Sequence, residues 1–72
     1  MTELDARLLT AHAAGDANAL VTLYQEAARS TDTETARGFY LTHAHIFALE
    51  VNHKDAGNLR QTLIEMGRET PL

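Results

Sequence analysis

The sequence predicts an all-α protein of four helices, arranged as two antiparallel helix hairpins in a short bundle built like a helical repeat. Three observations carry that expectation. Apolar residues recur at spacings of three and four along the whole chain, and no stretch alternates with period two. Twelve alanines and ten leucines favour helix nearly everywhere. The breakers are only four glycines and one proline, and that proline stands at position 71. With 72 residues, 44% of them hydrophobic and 22% charged, the chain reads as one folded domain over 1–72 rather than a disordered segment.

The first helix is expected from about Glu3 to Ala14, with Leu4, Leu8 and Ala11 on one stripe. Gly15 suits a left-handed stop and Asp16 the next N-cap. The second runs from about Ala17 to Arg29. Leu20, Val21, Leu23, Tyr24, Ala27 and Ala28 share one face, and Asn18, Thr22, Gln25, Glu26 and Arg29 the other, which describes a one-sided helix. Residues 30–35 form a polar connector with a Thr31-x-x-Glu34 capping box. It divides hairpin one, about 3–29, from hairpin two, about 36–68.

The third helix, about Asp32 to Val51, carries Ala36, Phe39, Tyr40, Ala44, Phe47 and Val51 on one apolar face. Leu41, Ala48 and Leu49 lie elsewhere on its wheel, so it is either central to the fold or has an additional partner. Asn52 is a left-handed stop and Asp55 a cap for the fourth helix, whose stripe is Ala56, Leu59, Leu63 and Met66, ending near Gly67. Tyr40, Ala44 and Phe47 are expected to pack against Leu8, Leu20 and Tyr24, with Gly38 allowing close helix approach.

The chain also resembles itself. Asp16-Ala17 through Leu20 and Glu26 to Arg29 matches Asp55-Ala56 through Leu59 and Glu65 to Arg68, five identities in fourteen positions. Two tandem hairpins is the simplest architecture consistent with this. Tyr40, His43, Ala44 and Phe47, followed by Ala56, stand at the spacing of the tetratricopeptide family of helix-hairpin repeats. Leu4, Leu8 and Ala11, then Leu20, Tyr24 and Ala27, take the equivalent places in the first half, so the chain resembles that family over most of its length. His43 stands where the family has leucine and Arg60 where it has an aromatic residue. The Phe39-Tyr40-Leu41-Thr42-His43-Ala44 stretch is also similar to one in small bacterial proteins.

Composition removes several functions. Without cysteine there are no disulfides, iron–sulfur clusters or thiolate zinc sites. A net charge of -4 gives no electrostatic footprint for nucleic acid. Ala11, Gly15 and Val21 match helix-turn-helix spacing, yet the face that would read DNA has Arg29 as its one cation, beside Glu26. No apolar run approaches the roughly 18 residues of a membrane span, and Met1 to Asp5 lacks a signal-peptide layout. The expected compartment is the cytoplasm.

Neither an enzyme nor a cofactor is expected. Ser30 is the one serine and has no glycine-rich elbow. His43 and His45, two residues apart, point to nearly opposite sides of a helix and cannot share an ion. A small enzyme or metal-dependent protein using His43 and Glu50 is the alternative to the main expectation, a protein–protein interaction module with an adaptor or regulatory role. Its partner would be another protein or peptide, with self-association as a homodimer included. What the repeat resemblance implies is a concave groove lined by Asp5, Leu9 and His12 from the first helix and Leu41, His45, Ala48 and Leu49 from the third. Leu41 and Leu49 either line that groove or pack under the fourth helix or a dimer mate. Two hairpins leave an end uncovered, so either the chain dimerises or the fourth helix caps it with Leu59, Leu63 and Met66.

Overall fold

A computed structural model describes residues 2–67 and contains four helices in two antiparallel hairpins, with no strand among those residues. Each start and stop has a local cause. α1 (Glu3–Ala14) opens on a capping box. The Thr2 hydroxyl accepts from the Asp5 amide at 3.1 Å, and the Asp5 carboxylate accepts from the Thr2 amide at 3.3 Å. It closes at Gly15, whose φ of 65° is the left-handed conformation that glycine adopts without a Cβ clash. α2 (Ala17–Ser30) is capped by Asp16, whose carboxylate accepts from the Ala19 amide at 3.1 Å.

The connector is residues 31–33, shorter than the expected 30–35 because α2 continues to Ser30 and α3 (Glu34–Glu50) is already helical at Glu34, although α3 starts two residues after the expected Asp32. The expected Thr31–Glu34 capping box does not form. Thr31 is in extended conformation, its hydroxyl accepts from the Thr33 amide at 3.4 Å, and Thr33 caps α3 by accepting from the Ala36 amide at 3.2 Å. Asn52, with φ of 52°, makes the left-handed turn after α3. The His53 amide then donates back to the Ala48 carbonyl at 2.8 Å. α4 (Ala56–Glu65) has Asp55 at its N-cap position, but the side chain makes no capping bond. Its carboxylate instead accepts from Gln25 Nε2 of α2 at 3.1 Å. α4 stops before Gly67, at φ 75°. The expected second-hairpin boundary at 68, the Arg68 repeat identity and Pro71 lie outside the described residues.

The helices form a slab of 35 × 28 × 13 Å in which sequence neighbours are packing neighbours. α2 buries two adjoining seams. Leu20 and Leu23 meet Ala11, Leu4 and Leu8 of α1, while Val21 and Ala28 meet α3. α3 lies between α2 and α4, and its buried residues are Gly38, Leu41, Ala44, His45 and Ala48. Leu41, Ala44, His45 and Ala48 follow the i, i+3, i+4, i+7 pattern of a helix face. Gly38, Ala44 and Ala48 are small, which lets the helices on both sides approach its backbone. Leu59 and Leu63 of α4 complete this cluster.

This corrects the third-helix face expected from the wheel. Phe39 is 55% exposed and Val51 36%, so neither belongs to the core. Tyr40 and Phe47 lie half-buried along its border, and only Ala44 of the expected set is fully enclosed. Both faces satisfy a three-four spacing. A helix packed between two others buries the line of small side chains and turns its large rings to the edge. The expected inward packing of Leu59, Leu63 and Met66 is seen, with Met66 partly buried against the cluster.

Candidate functional site

Two surface features stand out, and α3 contributes to both. The first is a continuous array of rings spanning three helices. Tyr24 of α2 is its hub. Its ring stacks on Phe47 at 6.0 Å between centroids and 11° between planes, and it lies 6.3 Å from Tyr40 and 5.3 Å from His43. His12 of α1 meets Tyr24 and Phe47 edge-on at 5.8 and 5.7 Å. At the outer end Phe39 lies 4.4 Å from His43 and 5.7 Å from Tyr40. Edge-to-face and offset pairs at these separations stabilise beyond area burial alone.

Polar atoms fix the array. His12 Nε2 and Tyr24 Oη are hydrogen-bonded at 2.8 Å. His43 Nδ1 donates to the Phe39 carbonyl one turn earlier at 2.9 Å, which leaves Nε2 as the bare acceptor of that imidazole when neutral. Burial, and then the neighbouring Tyr40, push the Tyr24 hydroxyl above its ordinary value of 10.0. Alongside, Arg7 Nη1 and Glu26 Oε2 pair at 2.9 Å and tie α1 to α2 on an exposed edge.

The second feature is the outer side of α3. Phe39 (55% exposed), Ile46 (49%) and Leu49 (62%) project from it. With Thr42 between them they are spaced three, four and three, which keeps all four on one side of the helix. His43 and the exposed Glu50 flank the stripe on one side.

Against this geometry the groove set divides. Asp5, Leu9 and His12 are exposed on α1, with Leu9 57% exposed. Leu41, His45 and Ala48 are not a groove lining: they are 8%, 8% and 0% exposed, and Leu41 and Ala48 belong to the core cluster completed by Leu59 and Leu63. Leu49 alone of the α3 members is on the surface. Of the four expected groove positions on α3, three are thus enclosed and one is exposed. The side that α3 turns outward carries Phe39 and Ile46, both missed as surface residues by the wheel. Their three-four-three spacing with Thr42 and Leu49 was the available signal. The role of Tyr24 as hub had none, because it depends on where α1 and α3 dock.

His43 and Glu50 are two turns apart, the first half-buried among rings and the second exposed at the end of α3. Among the described residues no group of three or more His, Asp or Glu side chains is placed to hold a metal ion, and no pocket opens. No helix among them is long and apolar enough to cross a membrane. The chain matches no family model, no curated protein and no solved structure.

Proposed function

We propose that this chain is a small protein–protein interaction module of adaptor or regulatory type, docking through the outer side of α3. The observation that carries the reading is the grouping of exposed large apolar side chains. Phe39, Ile46, Leu49 and Val51 all belong to α3 or its end, whereas the rest of the described surface adds only Leu9. Single exposed apolar residues are ordinary, but a spaced row on one helix is the pattern by which helices dock. The partner this row fits is an apolar helix face of another protein, anchored by Phe39, Ile46 and Leu49 at i, i+7 and i+10. The ring array beside it supplies Tyr24 and Tyr40, a residue type enriched where interfaces need both contact area and orientation. A cytoplasmic setting and the resemblance to tetratricopeptide-like hairpins belong to the same reading, supported by composition and by the helix-hairpin arrangement.

The test is the pair Phe39→Asp and Ile46→Asp, made together. Proteins retained by the unsubstituted chain are purified, and their binding is measured directly against both forms. The expected outcome is a stoichiometric complex lost by the double variant, whose helix content and melting temperature stay close to the original. A complex that survives the double substitution overturns the reading. If the unsubstituted chain sediments as a dimer and the variant as a monomer, the occupant of the row is a second copy.

A further inference from the structure

We propose that His53 is an acid-operated latch on the turn between α3 and α4. The ring is mostly enclosed, with its side chain 14% exposed. The backbone amide of Asp55 donates to His53 Nδ1 at 3.0 Å. An amide can only donate, so Nδ1 carries no proton in this arrangement and the neutral imidazole is the form that fits.

The amide held this way is that of the α4 N-cap residue. Asp55 gives α4 no side-chain cap, because its carboxylate is engaged by Gln25 Nε2 of α2. Besides its backbone bonds, from the His53 amide to the Ala48 carbonyl at 2.8 Å and from the Ala56 amide to the His53 carbonyl at 3.1 Å, the turn is held by two side-chain bonds, His53 to the Asp55 amide and Gln25 to the Asp55 carboxylate. Protonation of Nδ1 sets one N–H against another and removes the first. The imidazolium must then turn from the amide towards Asp55 Oδ2, which lies 3.8 Å away and is the oxygen that Gln25 already uses. That oxygen can accept from both donors, so the bond that protonation removes is the one to the Asp55 amide.

Other charges do not provide a substitute partner. Among the described residues Asp55 is the one acidic group within 4.0 Å of the His53 ring. Lys54, the next residue, is exposed and of like charge to the imidazolium, and Glu50 is exposed at the end of α3. From α2 the group reaching the turn is the uncharged Gln25 amide, and the first ionisable side chain of α4 is Arg60, a full turn past its start. Histidine is the side chain whose ordinary charge change falls between pH 5 and 8, which sets the range for the test. Its release loosens α4, the helix whose Leu59 and Leu63 close the core over Leu41, Ala44 and Ala48.

The experiment is amide hydrogen exchange and NMR titration of the full chain between about pH 7.5 and 5.5, after correction for intrinsic exchange. The expected result is a rise of about five- to tenfold in the opening of α4, the equivalent of one lost hydrogen bond, while α2 changes less. The Asp55 amide shift follows the titration of the His53 ring rather than that of His45. In His53→Asn the side-chain oxygen can accept from the Asp55 amide but cannot titrate, so the pH dependence of α4 disappears. Opening that is unchanged with pH, or unchanged in its pH dependence in His53→Asn, overturns the latch. Tighter α4 protection at low pH also overturns it, since the ion pair with Asp55 would then outweigh the lost acceptor. Should the variant fail to fold, an Asp55 amide that ignores the His53 titration in the unsubstituted chain overturns it independently.

Discussion

Single residues with unusual backbone conformations mark where the chain must turn. Gly15 has φ of 65° and nothing within 4 Å of the position a Cβ would take, so Gly15→Ala meets backbone strain and no clash. It should cost about 1 kcal/mol, read as a lowered melting temperature with unchanged helix content. Asn52, at φ 52°, makes the same kind of turn with a side chain present, and Asn52→Gly should be tolerated. Tyr24 behaves differently because its raised hydroxyl couples the fold to pH. The folded state holds this proton more tightly than the unfolded chain does, so the stabilisation is complete below the ordinary tyrosine value of 10.0. It is lost as pH rises above that value towards the raised one. Melts between about pH 8 and 11 should therefore fall more steeply for the unsubstituted chain than for Tyr24→Phe. At neutral pH the same variant loses its bond to His12, at a cost of about 0.5–1.5 kcal/mol.

At the scale of the helices, burial decides which contacts matter. Leu59 is 3% exposed and packs where α4 covers α3, so Leu59→Ala should cost about 2–5 kcal/mol in a chemical-denaturation series. Phe47 borders both core clusters yet keeps an open edge. Phe47→Ala should cost roughly 2–3 kcal/mol, below the range for a fully enclosed ring. α2 was legible from the sequence because its apolar residues occupy one side and its polar residues the other. The one addition is that this side splits into two seams, Leu20 with Leu23 towards α1 and Val21 with Ala28 towards α3. α3 was not legible in the same way. Its periodicity allows at least two buried faces, and the choice between Phe39–Val51 and Leu41–Ala48 depends on having neighbours on two sides.

Across the whole molecule, the central pair α2 and α3 carries the outer helices. α1 is held by α2, by the Arg7–Glu26 pair and by the contact of His12 with Phe47; α4 is held by α3 and by the Gln25–Asp55 bond. Native-state hydrogen exchange should then show α1 and α4 opening before α2 and α3. Equal protection in all four helices would mean that the slab unfolds as a single unit. What the sequence by itself determined is the local order: four helices, the left-handed stops at Gly15 and Asn52, the Asp16 cap and the polar side of α2. Those features rest on interactions within a few residues, so composition and spacing suffice to specify them. The tertiary structure alone decided the rotation of α3, the replacement of an Asp55 cap by a bond to Gln25, and the gathering of five other rings into one array with Tyr24. Each of these depends on groups distant in the chain, whose approach is set by how closely small side chains let the helices pack.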